Sequence, residues 1–340
     1  MKIGILTYHR VINIGALMQA YCVQEFYKSL GHNVVLIDLR NWKTEFIEIR
    51  KLFSIKKMKF DRYQYDKLRN MRTFLKKNFK LTKPVLSGNS RKFNKFLSKE
   101  NFDLISIGSD TVWELRDEGY TKQSVNEFFL PGYKKKKISF SASMDPINED
   151  FLNLPKIKKI LTKRVESLKN FDFLNVRDHQ TLNILQRNGL KPKITSDPTI
   201  IMMDNSIFKI SLPKNRDRTG LQLDSVTTKK LYDEFRHKDK LLDLNGYIND
   251  KLQQNFMSKL TVENYLKLLG TFKLIITNRF HGSLLTLLVS DCSIPIIGHE
   301  NPDKWKSGNS KLRELFVQLK INNFLTNDID EIKFIKKKID

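Results

Sequence analysis

Arg279 and His281 flank Phe280 at the point where an apolar, strand-like run at residues 274–277 passes through Asn278 and on by Gly282 into the apolar helical run 283–289. A helix that starts there leaves backbone N–H groups without partners and carries the positive end of its dipole, so it attracts an anion. An arginine beside a positive helix end is locally unfavourable unless something negative arrives, and a phosphate or carboxylate meets that requirement. Other polar residues also follow strand-like runs. Gly108, Ser109 and Asp110 follow 104–107, Ser143 lies just beyond 138–140, Arg177 follows 173–176, and Asn13 with Gly15 lies beyond 2–6. Ligands of open α/β sheets bind outside the carboxyl ends of the strands, which is where all of these residues fall.

Their placement depends on an alternation of strands and helices. Residues 2–6 read as a strand, 16–30 as a helix ended by Gly31, and 34–37 as a buried strand. Strand patterns recur at 102–107, 137–140, 171–176 and 193–195, with helical patterns at 157–171 and 181–188 between them. After Asp197 and Pro198 a second series begins, with strands at 220–223, 241–244, 274–277 and 294–297 and helices at 226–235, 262–269 and 282–289. Such alternation implies parallel sheets covered on both faces, an α/β fold. A chain of 340 residues exceeds what one core supports, so two Rossmann-like domains are expected. The weakly periodic stretch 205–218 places the first at 1–204 and a smaller second at 205–315, with a helical tail at 316–340 that packs back on the first.

The balance of 61 basic against 37 acidic residues gives +24, a field that favours anions without naming one. Cys22 and Cys292 make neither a disulfide framework nor a metal site, and the apolar start is too short for a signal peptide, so a reducing cytoplasm is expected. The longest apolar run, 284–289, is broken by Asp291 far short of a membrane span. Gly108, Ser109 and Asp110 lack the residues of a Walker loop, Gly4 and Gly15 are too far apart for a dinucleotide fingerprint, and His9, His32, His179, His237 and His299 show no metal-ligand spacing. The serines at 139–143 have no nucleophile-elbow glycines around them. No metal, no bound cofactor and no nucleic-acid partner is expected.

Residues 51–83 hold twelve lysines and arginines against Asp61 and Asp66, interleaved with Phe53, Met58, Phe60, Tyr63, Tyr65, Phe74 and Phe79. Two readings lead for this excursion of the first domain, with nucleic acid third because no nucleic-acid-binding signature accompanies the charge. One is a solvated lysine-rich surface; the other is an interfacial surface on anionic lipid, with the rings inserting shallowly, at the inner face of the plasma membrane.

Taken in order, the run from Asn13 to Ala20, Ile107 to Asp110 with Val112 and Trp113, Ser139 with Ala142 and Ser143, Val176 to Asp178, Asp197 to Thr199, and Thr277 to Gly282 resembles the polysaccharide pyruvyl transferase family over nearly the whole chain. The resemblance implies two Rossmann-like domains facing a cleft, similar to the GT-B glycosyltransferase fold. It also implies transfer of pyruvate from phosphoenolpyruvate to a sugar of a cell-surface polysaccharide or its isoprenoid-diphosphate-linked precursor, as a ketal. Arg177, Arg279 and His281 fall on the family's donor-handling positions. Asn278, Phe280, Asn13, Gly15, Gly108, Ser109 and Ser143 fall in its motifs as further substrate-binding candidates.

The chain departs from the family pattern in having Asn175 before Val176, Thr111 after Asp110, and a short stretch between Asp197 and Asn278. Two arginines and a helix N-terminus suit a compact donor bearing a carboxylate and a phosphate. The enol carbon becomes electrophilic only when the methylene is protonated, and a sugar hydroxyl must lose its proton, so an acid and a base are needed. His281 suits either task near neutral pH, and Asp110 is the second candidate, for orienting or deprotonating the acceptor. A glycosyltransferase of the same fold using a nucleotide-sugar donor is the alternative, because fold does not settle chemistry.

Overall fold

A computed structural model of the chain describes residues 1–50, 52–54, 59–115, 126–144, 149–237, 240–248, 250–300 and 310–339. β1 (Lys2–Leu6) and β2 (Asn33–Leu36) are joined by α1 (Ile14–Ser29). Ile3, Ile5 and Leu6 are fully buried, as a strand covered on both faces requires. Beyond β2 come α2 (Trp42–Arg50), α3 (Arg62–Asn78), β3 (Val85–Leu86), α4 (Ser90–Glu100) and β4 (Leu104–Ile107). They are followed by β5 (Lys137–Ser139), α5 (Pro155–Leu168), β6 (Asn175–Val176), α6 (His179–Arg187) and β7 (Lys193–Ile194).

β2, β1, β4 and β5 lie side by side and parallel. Parallel bridges from Ile138 to Phe173 and from Ala142 to Val176 lead on to β6, which pairs with β7. On the other side, a bridge from Leu36 to Leu81 and the pairing of Leu39–Arg40 with β3 carry the ladder past β2. The order β3-β2-β1-β4-β5-β6-β7 is that of a Rossmann sheet, and it reverses between β1 and β4.

The second sheet is built from β8 (Arg218–Gln222), β9 (Lys240–Asp243), β10 (Phe272–Thr277), β11 (Ile296–His299) and β12 (Leu325–Thr326). Its order is β9-β8-β10-β11-β12, all parallel, so it reverses between β8 and β10. The helices α7 (Ser225–Phe235), α8 (Val262–Leu269), α9 (Phe280–Val289), α10 (Lys311–Gln318) and α11 (Ile329–Ile339) alternate with these strands. Leu221, Leu231, Leu274, Ile276 and Ile297 form the centre of its core.

The chain divides into two compact units, Met1–Asp61 with Arg72–Met202 and Arg62–Met71 with Met203–Asp340. Two parts of the expected division at 1–204, 205–315 and 316–340 are corrected. The tail is not separate and does not belong to the first unit: β12 adds a strand to the second sheet, and α11 buries Ile332 and Ile335 in the cluster around Leu274 and Ile297. Its apolar periodicity was visible locally, but which sheet it covers depends on long-range packing. The excursion 51–83 is also split, because Arg62–Met71 belongs to the second unit. There Asn70 Nδ2 donates to the carbonyls of Ser258 and Leu260 at 3.0 and 2.9 Å, and Tyr63 lies so close to Gly246, whose φ is +78°, that a Cβ at that glycine would come within 2.5 Å of the ring.

Tyr63, Phe74 and Phe79 are buried, so these rings pack inward and cannot insert into a surface; Phe60 and Tyr65 remain exposed. Lys51, Lys56, Lys57 and Met58, and the side chains of Phe53 and Lys59, lie outside the described residues.

Candidate functional site

The first sheet's reversal is held by hydrogen bonds between neighbouring strand ends. Thr7, just past β1, donates from Oγ1 to the carbonyl of Ser109, just past β4, at 2.7 Å. The turn at Gly108 needs glycine on two counts: φ is +101°, and a Cβ would stand 2.6 Å from the carbonyl oxygen of Phe140. Asp110 also has positive φ, +85°, and the chain then bonds sideways, Ser143 N to the Asp110 carbonyl at 3.0 Å and Trp113 N to the Ser143 carbonyl at 3.1 Å. Ser109 is fully buried, and its hydroxyl oxygen has no hydrogen-bond partner among the described residues. Asn13 spends its carboxamide oxygen on capping α1, accepting from Gly15 N and Ala16 N at 2.9 and 3.4 Å, which leaves its Nδ2 as the side chain's donor.

Arg177, just past β6, is buried. Its Nη1 donates to Asp197 Oδ2 at 2.9 Å, and its Nη2 lies 4.0 Å from Asp110 Oδ1. Burial alone would push this guanidinium down, but Asp197, Asp110 and Asp178 around it hold it above its ordinary value. Asp197 also receives Gln19 Nε2 from α1 and, on its other oxygen, Thr199 N and Oγ1 at 3.0 and 2.7 Å. The sequence reading treated Asp197 as part of a motif and missed its role as the counterion of Arg177. An Asp before Pro reads locally as a helix cap, which it is, and its second bond is a contact across twenty residues.

The second reversal brings the end of β8 against the turn after β10. Asn278 N and Thr277 Oγ1 both donate to the Gln222 carbonyl, at 3.2 and 3.1 Å, and Arg279 N donates to Thr277 Oγ1 at 2.9 Å. These bonds aim the start of α9 at the strand ends. Its N-cap residue is Arg279, which offers no acceptor side chain, so the first N–H groups of α9 have no side-chain cap. The Arg279 side chain is exposed and makes no hydrogen bond or ion pair among the described residues. His281, in the first turn and half-buried, packs edge-on against Phe280 with ring centroids 5.0 Å apart. A Cβ at Gly282 would fall 1.9 Å from Gln222 Oε1, so any other residue there would displace the Gln222 carboxamide.

Gln222 was not singled out from sequence, yet it is the hinge of this turn. Its Nε2 donates to the Tyr265 hydroxyl at 3.1 Å, and its Oε1 and the Asn278 Oδ1 are buried with no hydrogen-bond partner among the described residues.

The sequence-derived residues therefore assemble as two sets. Asn13, Gly15, Gly108, Ser109, Asp110, Ser143 and Arg177 lie along the carboxyl edge of the first sheet, and Asn278, Arg279, Phe280 and His281 along that of the second. The second set can bind a phosphate or carboxylate through a guanidinium and helix N–H groups and offers an imidazole beside it. Among the described residues no group of three or more His, Cys, Asp or Glu side chains is placed to hold a metal ion.

A family model, that of polysaccharide pyruvyl transferases, matches residues 13–296. No curated protein sequence matches the chain. Among solved structures, the chain is similar to the UDP-GlcNAc 2-epimerase of Methanocaldococcus jannaschii, at 13% identity over 91% of this chain and 88% of that one, with a TM-score of 0.46. It is similar to UGT89C1 of Arabidopsis thaliana, solved with UDP-L-rhamnose, at 11% identity over 96% and 84% of the two chains, TM-score 0.48. A third similar structure is an alpha-glucosyltransferase in complex with UDP, at 10% identity over 100% and 90%, TM-score 0.47.

Proposed function

The chain belongs to the polysaccharide pyruvyl transferase family, and from that premise we propose that it moves pyruvate from phosphoenolpyruvate onto two hydroxyls of a surface-polysaccharide sugar as a ketal. The observation that carries the reading is the start of α9, where an exposed arginine with no partner among the described residues precedes helix N–H groups that no side chain caps, with an imidazole two residues on. Arg279 and the N–H groups hold the donor's anionic oxygens. His281 gives a proton to the methylene carbon, which becomes a methyl group and leaves C2 electron-poor. One sugar hydroxyl adds to C2, the bond from C2 to the phosphate oxygen breaks, and a second hydroxyl closes the ketal. Of the two hydroxyl protons released, one restores His281 and the other leaves with phosphate. Asp110 orients the acceptor or relays one of these two protons. Arg177, already paired with Asp197, positions the first strand-end set.

The test is release of inorganic phosphate from phosphoenolpyruvate that depends on a polysaccharide acceptor, with acid-labile pyruvate recovered on the sugar. Phosphate release without acceptor would reduce the reaction to hydrolysis of phosphoenolpyruvate, and thermal stabilisation by nucleotide sugars and not by phosphoenolpyruvate would replace this reading with the nucleotide-sugar alternative.

The reaction runs at the cytoplasmic face of the membrane on a sugar carried by an isoprenoid diphosphate. No helix among the described residues is long and apolar enough to cross a membrane. What supports a peripheral position is α2, where Trp42, Phe46 and Ile49, at i, i+4 and i+7, are 68, 60 and 45% exposed, followed in sequence by Arg50, Lys51, Lys56 and Lys57. Binding to vesicles of anionic lipid that is lost in high salt and on replacing Trp42 and Phe46 by Ala is the expected result; equal binding to neutral vesicles would count against it.

A further inference from the structure

Beyond the carboxyl ends of β1 and β2 the first unit holds a second polar cleft that the steps above do not use. Tyr8, His9, Arg10, Arg40, Glu45 and Arg72 line it. At its floor the buried carboxylate of Asp38 accepts from Arg40 Nε and Nη2 at 3.1 and 2.9 Å and faces Arg10 Nη1 at 3.5 Å and His9 Nε2 at 3.3 Å. Burial works against its charge, but the hydrogen bonds from His9 and Arg40 and the charge of Arg10 outweigh burial and hold the carboxyl below the usual carboxylate range. Arg10 Nε donates to Glu45 at 2.7 Å, and Glu48 accepts from Ile12 N at 3.1 Å.

Arg72 differs from the other two arginines. It is half-buried, its Nε is shielded from solvent, and its side chain has no hydrogen bond or ion pair among the described residues. Burial and the nearby charge of Arg10 push its guanidinium down, with Glu45 acting the other way. Glu45 and Asp38, the acids whose charges act on it, are already engaged by Arg10 and Arg40. A desolvated donor without an acceptor is costly, and a planar guanidinium is satisfied best by an oxyanion that accepts two parallel bonds.

We propose that Arg72 heads an oxyanion site in the first unit that takes a phosphate or carboxylate group, separate from the group bound at Arg279. Arg10 and Arg40, fixed by Asp38 and Glu45, add positive potential to the cleft wall. The assignment of that oxyanion to the sugar acceptor rests on the proposed reaction; the site itself does not. An acceptor bearing a phosphate or an acidic sugar is thereby preferred over a neutral one.

The experiment is calorimetric titration of the full chain with inorganic pyrophosphate, with glucuronate and with phosphoenolpyruvate, using wild type, Arg72→Ala, Arg72→Lys and Arg279→Ala. Saturable binding of pyrophosphate or glucuronate is expected, weakened about tenfold or more by Arg72→Ala, less by Arg72→Lys, and unchanged by Arg279→Ala. Whichever of the two binds tighter identifies the source as phosphate or carboxylate. Phosphoenolpyruvate should follow Arg279 and ignore Arg72. No saturable binding of either probe to wild type, equal affinity in Arg72→Lys and wild type, or loss of phosphoenolpyruvate affinity in the Arg72 variants overturns the site. The Lys variant keeps the test decisive should Arg72→Ala fold poorly. Failure of phosphoenolpyruvate to bind wild type, with Arg72-dependent pyrophosphate binding intact, would instead overturn the proposed reaction and leave this site standing.

Discussion

Arg177 and Arg279 each follow a strand of a parallel sheet, and each stands among residues of its sheet's carboxyl edge, but the surroundings of the two charges are opposite. Arg177 is buried and ion-paired to Asp197, whose two oxygens are saturated by Gln19 and Thr199 as well. Arg279 is exposed, lacks a partner among the described residues, and occupies a cap position that it cannot fill. The helices differ in the same sense: α1 has its first N–H groups capped by Asn13, whereas α9 leaves its own open. The first edge is thus built as a preformed scaffold and the second as a receptor for an incoming anion. A buried arginine with its own counterion contributes to ligand binding chiefly by holding its neighbours in place.

The largest effect expected from this contrast is on turnover. His281→Gln should lower it by about 10² to 10⁴ while phosphoenolpyruvate still binds, measured by phosphate release and by calorimetry on the same preparation. Near-normal turnover would make the second edge a binding element alone.

Stability should separate the two arginines next. Arg177→Ala strands the buried carboxylate of Asp197 and should cost about 3 to 5 kcal/mol in urea unfolding. Removing both charges, as in Arg177→Met with Asp197→Asn, should recover most of that loss. If the single substitution proves neutral, the scaffold description of the first edge is wrong.

Arg279→Ala should leave the unfolding midpoint nearly unmoved, within about 0.5 kcal/mol, and weaken phosphoenolpyruvate binding about tenfold or more. Lysine at that position should restore only part of the affinity, since it loses the planar fork. A stability loss as large as that of Arg177→Ala would erase the distinction between the two sites.

The smallest effect is a matter of pH and probes the first unit's other charge cluster. The Asp38 carboxyl lies below its unfolded value of about 3.9, so the stability it contributes is fully present above that pH and is lost as pH falls toward its folded value. Asp38→Asn should therefore be less stable at neutral pH but lose less stability on acidification below pH ~4, read from urea midpoints across an acid series. Parallel acid profiles for the two proteins would show that Asp38 is not perturbed by Arg40, His9 and Arg10.

Much of this architecture follows from local pattern. The runs that became β1, β4, β10 and α9 are short, mostly apolar and bounded by polar residues, and burial on both faces is what such runs require. The turn from Thr277 to Gly282 was legible for the same reason, since strand, cap position, glycine and helix follow one another without a gap. The short ladder through Leu39–Arg40 and Val85–Leu86 carried no comparable signal, because two-residue strands have no periodicity.

Strand order lies beyond local pattern. That β1 neighbours β4, and β8 neighbours β10, is settled by hydrogen bonding between segments far apart in the chain, and these pairings alone place Thr7 against Ser109 and Gln222 against Asn278. The same holds for charge. The composition could say that basic residues outnumber acidic ones, but not that Arg177 would be neutralised by Asp197, Arg40 by Asp38, and Arg72 and Arg279 by no described residue. Whether a charged side chain is structural or free to meet a ligand depends on which acid folding brings within a few ångströms of it, and that distance is a property of packed elements and not of residue spacing.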